Sequence, residues 1–310
     1  MKLRASPGLL LLSAILLPVA GCAQTSTLAQ SSPKPPLEYL NAWGAKGNGP
    51  GQFDDPVSMA TDAVGNVFVA DAGSGFIQKF SPDGVPLLAF QEYGMDHPQW
   101  ITLDSGGAIY AADPASNAFF VFLPDGDRYR EVRLRSARTR ENTLSVAVGA
   151  DGVVHVLDSN AARVYVYTSR FRLARIWKPE GLVPGGAQNP LTIEMGPDGS
   201  LYIAEHANNR IERFASDGRL VNQIHGSGGA AGSRISSEFA VSADALFDMD
   251  PNGRMLHVFT PDGNFKFDRD LAPELGQANR PPPPLAVSVH HELLVLDAPE
   301  SRVLRYRINF

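Results

Sequence analysis

One cysteine in 310 residues removes a disulfide framework and a thiolate metal cage from consideration. No apolar run reaches the roughly 18–20 residues that a membrane-spanning helix needs. A 3.6-residue apolar period is not sustained anywhere after residue 37. Nucleophile-elbow spacing, Gly-x-Ser-x-Gly followed by an ordered Asp and His, is missing. The seven histidines (His97, His155, His206, His225, His257, His290 and His291) form no His-x-x-x-His pair of the kind that places two ligands on one metal. The Gly-rich stretch Gly226–Gly232 precedes no helical pattern, so it lacks the helix N-terminus a phosphate loop requires. Basic residues are in the minority, 27 Lys and Arg against 33 Asp and Glu, and no nucleic-acid-reading motif is present; nucleic acid is not an expected partner.

What the chain has in abundance is a repeat. Six times a short apolar strand runs into an acid: Asp71, Asp113, Asp158, Glu205, Asp248 and Asp297, spaced 42, 45, 47, 43 and 49 residues apart. Asn66–Ala70, Ala108–Ala112, Val153–Leu157 and Leu201–Ala204 read as second strands of a unit. Phe76–Phe80, Phe119–Leu123, Val164–Tyr167 and Ile211–Phe214 read as third strands. Pro-Asp-Gly at 82–84, 124–126 and 261–263, with Ser-Asp-Gly at 216–218, supplies tight turns, because Pro presets φ and Gly accepts a positive one. A period of roughly 40–50 residues with several strands per unit is that of a propeller blade, which must stack on its neighbours to bury both faces. After Asp297 only Arg302–Ile308 remains, so the last blade lacks an outer strand. Leu37–Trp43 is an outer strand without a blade. Residues 37–43 are therefore expected to pair with 302–308 and close an all-β, six-bladed β-propeller over 37–310, with no exposed edge left to aggregate.

Gly49-Pro50-Gly51-Gln52-Phe53-Asp54-Asp55-Pro56, followed by strand, Gly-Asn, strand, Asp and Pro-Asp-Gly, resembles the NHL repeat. So does the fourth unit, with Asn189-Pro190, Gly199, Leu201–Glu205 and Asn208-Asn209-Arg210-Ile211. Units two, three and six match less closely, and unit five carries extra turn residues around Asp248-Met249-Asp250-Pro251. The resemblance implies a six-bladed propeller and a binding role without fixing one activity.

The first residues set an expected compartment. Met1-Lys2-Leu3-Arg4 is basic, Leu9–Val19 is apolar, and Val19-Ala20-Gly21-Cys22 resembles the lipobox of bacterial lipoproteins. Residues 1–21 are then a signal peptide, Cys22 is the lipidated residue and 22–36 form a polar, Pro-rich tether. Acyl chains would hold the protein to a membrane. Ala23, by resemblance to Gram-negative sorting, favours the outer membrane facing the periplasm. Loss of Lys2 and Arg4 moves the formal charge from −6 to −8. Against that background residues 128–178 hold eleven Lys and Arg and only four Asp and Glu. Arg133, Arg135, Arg138 and Arg140 are candidates for docking an anionic partner; charge protection of a sheet edge is the simpler role.

The anchoring acids recur once per unit, which assigns them to the blade itself: an Asp ending a strand accepts backbone N–H bonds from the following turn. Asn208, Arg163, Arg210 and Arg302 suit the same local network. A ligand would sit where the innermost strands begin, and His97, Gln99, Trp100, Ser145, Thr192 and Glu238 are the candidates there, with Ser58. Trp100 occupies a position where other units carry Ser58, Ser145 and Thr192, and its ring would suit a sugar or peptide. Among propeller enzymes, amidating lyases hold zinc with histidines at equivalent blade positions, an equivalence missing here. Lactonase-type propellers hold calcium with Glu, Asn and Asp, for which Glu194, Asn189, Asp244 and Glu238 are possible counterparts. The expected function is a membrane-anchored envelope binding or scaffold protein that recognises a protein or glycan, with no cofactor. The alternative is a metal-dependent lyase or lactonase-type hydrolase at the central channel. Oligomeric state is left open.

Overall fold

The second strands are rich in apolar residues and buried on both faces: Val67–Asp71, Ile109–Asp113, Val154–Asp158 and Leu201–Glu205 have no exposed residue. A strand buried on both sides needs a sheet stacked against each face. The computed structural model supplies this with six four-stranded antiparallel sheets arranged as blades; it describes residues 34–95, 97–134, 144–179, 191–205, 208–226, 235–276 and 281–310. The lipobox with Cys22, the tether up to residue 33, Arg135, Arg138, Arg140, Asn189, His206 and most of the Gly-rich stretch lie outside those residues. The innermost strands are Pro56–Thr61, Trp100–Leu103, Leu144–Val148, Leu191–Met195, Phe239–Val241 and Leu285–Ser288. Each contacts the next in this order, and the last contacts the first, so they ring a central channel within the unit Pro35–Phe310.

Closure follows the expected pairing. Leu37–Trp43 runs antiparallel to Arg302–Ile308, with Leu37 opposite Ile308, Tyr39 opposite Tyr306 and Trp43 opposite Val303. The blades meet through apolar side chains: Phe68 and Ile77 of blade 1 pack with Ile101, Phe120 and Phe122 of blade 2. Burying one such Phe or Ile contributes about 1.5–3 kcal/mol. Outermost strands instead expose every other residue or more, as in Pro86–Phe90 and Leu173–Trp177.

All innermost strands start at one face, the entrance face, where the second and third strands also connect. The opposite, exit face carries the first hairpins and the Pro-Asp-Gly turns. In these turns Gly84, Gly126, Gly218 and Gly263 have φ of +82 to +90°. A Cβ on Gly126 would lie 2.8 Å from the Phe90 ring, so glycine serves both backbone and packing there.

Five of the six anchoring acids, all but Asp248, are the last residues of their strands rather than the residues after them. Asp71 accepts the N–H groups of Asp54 and Asp55 at 2.9 and 2.7 Å and the Ser74 hydroxyl at 2.7 Å. Glu205 and Asp297 pair with Arg210 and Arg302 at 3.0 and 2.9 Å. Two members depart from the expectation. Arg163 is exposed and makes no ion pair with Asp158 among the described residues; Asp158 instead accepts the Ala161 N–H at 3.0 Å. In blade 5 the hairpin runs two residues further on each side, so Asp248 lies opposite His257 inside the ladder. Among the described residues Asp248 keeps one weak partner, the Ser236 N–H at 3.2 Å, and its other oxygen has none. Burial therefore holds its carboxyl well above the usual carboxylate range.

Candidate functional site

In a repeat protein the residues that serve the fold recur, and those that serve a ligand break the pattern. Strand register identifies equivalent positions. Ser58, Trp100, Ser145 and Thr192 each lie opposite the residue before the anchoring acid, which confirms their equivalence. The hydroxyls are ties between blades: Ser58 Oγ accepts the Ile101 N–H and Ser145 Oγ the Ile193 N–H, both at 3.1 Å. Ser145 and Thr192 are buried, at 1% and 4% exposure, which places them inside the frame rather than on a ligand face. Trp100 makes the equivalent link with the opposite polarity. Its indole N–H donates to the Val146 carbonyl of blade 3 at 3.0 Å while its ring packs against the core between blades 2 and 3.

His97 and Gln99 do not share a site with Trp100. They line a separate depression on the entrance face with Asp55, Val57, Ala72 and Gly73, and His97 Nδ1 lies 3.3 Å from the Ala72 carbonyl oxygen. The channel is a cavity of about 340 Å³ lined by innermost strands of all six blades. Ser105, Gly149 and Pro197, from first hairpins, border it, so it reaches toward the exit face, with Trp100 and Glu238 at the strand ends nearer the entrance.

Two carboxylic acids interrupt this apolar and hydroxyl-bearing wall. Glu194 sits where blades 1, 2, 3 and 6 carry Ala60, Thr102, Ala147 and Ala286. Glu194 and Glu238 are half-buried in the channel wall, where the surrounding blades take most of their carboxyl surface out of bulk water. Burial, and next the facing Glu238 carboxylate, holds the Glu194 carboxyl well above the usual range, although the Val241 N–H it accepts pulls the other way. Glu238 is pushed up to about 7 by burial, opposed by a hydrogen bond from Ser237. Near neutrality the pair can hold a proton that it can donate or take back. Glu238 also lines a second cavity with the four-proline run Pro281–Pro284. Among the described residues no three His, Cys, Asp or Glu side chains converge as a metal-ligand set. Asp244 is exposed in the first hairpin of blade 5.

Sequence reasoning found Glu238 by position and touched Glu194 only by analogy. The available signal for Glu194 was an acid in the middle of an innermost strand whose counterparts are small. His155, central in a second strand, is a core residue: burial, with the Arg175 charge second, lowers its pKa to about 4.

No protein-family model matches the chain. A 103-residue segment is 32% identical to the human E3 ubiquitin-protein ligase TRIM32, covering 28% of this chain and 16% of that one. A 126-residue segment is 28% identical to human NHL repeat-containing protein 3, covering 37% of this chain and 36% of that one. The chain thus spans well under half the length of these curated relatives. A streptogramin B lyase structure superposes with a TM-score of 0.62 at 16% identity, covering 88% of this chain and 97% of that one. A catalytically inactive variant of virginiamycin B lyase from Staphylococcus aureus, solved with quinupristin, gives 0.61 at 14% identity over 88% and 99%. At such identity the structural likeness speaks for the fold, and the segment matches speak for the repeat: the protein is a six-bladed β-propeller with weak similarity to NHL-repeat proteins.

Proposed function

We propose that the protein is a lipid-anchored recognition module of a bacterial cell envelope that holds part of a protein or glycan in its central channel. The observation that carries this reading is the pair Glu194 and Glu238, two acids in one channel wall, the first at a position where blades 1, 2, 3 and 6 carry Ala60, Thr102, Ala147 and Ala286. A protonated carboxyl donates to a carbonyl or sugar oxygen, and its ionised neighbour accepts from an N–H or O–H. The frame presents both without reorganisation, which favours binding. In this reading Cys22 carries the acyl chains, residues 23–36 bridge to the propeller, and the domain faces the periplasm from the outer membrane. Photo-crosslinking from benzoylphenylalanine placed at Thr102, which lines the channel, tests the site in cells. A discrete adduct that disappears in Glu194→Gln/Glu238→Gln supports it. Adducts from exposed Leu87 with none from Thr102 would overturn it. Cys22→Ser should release the protein from the membrane fraction.

A lyase or hydrolase acting in the same channel is the second reading, favoured by a Glu238 pKa of about 7, suited to acid–base work at neutral pH. The structural neighbours include lyases, one of them solved with quinupristin. Conversion of quinupristin by the wild type, lost in Glu238→Gln, would establish it. Its metal-dependent form needs ligands from outside the described residues, Asn189 among them. Elemental analysis of protein purified without chelators decides that form: about one zinc or calcium per chain supports it, and none removes it.

A further inference from the structure

The turn that joins the third and outermost strands of blade 3 breaks the repeat on the exit face. Where four other blades place Gly84, Gly126, Gly218 and Gly263, blade 3 places Phe171, with φ of +58°. A bulky residue in that conformation persists only where its surroundings hold it. Here the ring lies 6.1 Å from Tyr129 and 6.4 Å from Tyr110 and Phe119, across the junction with blade 2. The Arg130 guanidinium stands 5.7 Å from the Tyr129 ring and 5.9 Å from Phe171. Arg170 and Arg172 flank Phe171 and are exposed, and Tyr129 is 57% exposed. Nearby cations are neutralised: Arg128 pairs with Glu92 at 2.8 Å and Arg133 with Glu131 at 2.6 Å. Among the described residues Arg130, Arg170 and Arg172 have no acidic partner. Edge protection accounts for arginines on the outermost strand Arg128–Arg133, but Arg170 and Arg172 sit in a turn with no open ladder to shield.

We propose that this rim is a binding site for a narrow anionic polysaccharide, with Arg130, Arg170 and Arg172 on its acid groups and Tyr129 against a sugar face. The shape of the partner follows from what surrounds the patch. Asp125 and Asp127 precede the outermost strand of blade 2, and Asp217 lies in the blade 4 turn whose backbone carbonyls accept from Arg175. Asp151 lies in the hairpin whose Gly152 packs on Ser169. A flat anionic bilayer would meet these carboxylates together with the arginines, whereas a single chain threads between them. The site is separate from the channel and does not depend on its reading. The choice of a glycan over a nucleic acid rests on the expected export of the chain.

Affinity electrophoresis of the full chain in nonionic detergent, in gels containing polygalacturonate or neutral dextran, tests the proposal. Retardation should appear only with polygalacturonate and weaken about tenfold or more between about 50 and about 300 mM NaCl. Arg170→Glu/Arg172→Glu should weaken it at least about tenfold, with an unchanged thermal midpoint because neither side chain is packed. Arg163→Glu, exposed on the entrance face, should leave it unaltered. Equal retardation of wild type and the double variant would sink the site. Tighter, Arg170/Arg172-dependent binding to oligo(dT) or to phosphatidylglycerol vesicles than to polygalacturonate would refute the glycan as occupant.

Discussion

The junction of blades 1 and 2 and that of blades 2 and 3 solve one packing problem in opposite ways. At the first, Phe90 on the outermost strand covers Gly126 in the neighbouring turn. At the second, the equivalent outermost position is the smaller Val132, and the neighbouring turn supplies the ring itself through Phe171. Trp177 over Gly218 and Ile224 over Gly263 follow the first solution. What the repeat keeps constant is the volume filled between blades, not the residue that fills it. The exchange also leaves blade 3 with a turn that carries two arginines without acidic partners among the described residues, where its sisters carry Asp-Gly.

The sharpest way to break the first solution is Gly126→Ala. A Cβ at φ +90° and 2.8 Å from the Phe90 ring combines backbone strain with a clash, so unfolding by denaturant should show a loss of about 2–4 kcal/mol. Next in size is Arg302→Ala, which strips buried Asp297 of its ion pair and should cost about 1–3 kcal/mol by the same measurement.

The pH response of the channel, the other place where the repeat is interrupted, follows. The Glu238 carboxyl sits at about 7 against an ordinary 4.5, so the folded state binds the proton more tightly than the unfolded one. That contribution is fully present below pH about 4.5 and is lost as pH rises to about 7. Because the side chain still meets channel water, its size is about 1–2 kcal/mol. Glu238→Gln should reduce the slope of thermal stability over that window, leaving the slopes due to Glu194 and Asp248, whose carboxyls burial also holds above their usual range; an unchanged slope would remove Glu238 from the site.

Phe171→Gly loses a half-buried ring but relieves the left-handed backbone, for a net cost of about 1–2 kcal/mol. Adding Val132→Trp should restore most of it, with a coupling energy of at least about 0.5 kcal/mol in a double-mutant cycle. Additivity would mean that the two junctions are not equivalent. Smallest is the effect of Arg163→Ala, at the place in blade 3 that Arg302 holds in blade 6. It should change stability by less than about 0.5 kcal/mol, as for an exposed side chain without an ion pair.

The architecture was legible in the chain alone. The spacing of the acids, the turn chemistry and the orphan strand Leu37–Trp43 dictate six blades and their closure, because these are local signals repeated until they have one consistent reading. The place of the site was not legible. His97, Gln99 and Trp100 are neighbours in the chain, but the innermost strand begins only at Trp100, so His97 and Gln99 stay in the loop on the entrance face while Trp100 enters the channel wall. Ser145 and Thr192 look like free hydroxyls until the next blade covers them, Ser145 also taking up a neighbour's N–H. Glu194 and Glu238 stand 44 residues apart. Only the stacking of blade 5 against blade 4 turns them toward one water-poor channel, where burial makes a charged carboxylate costly and a proton is kept near neutral pH.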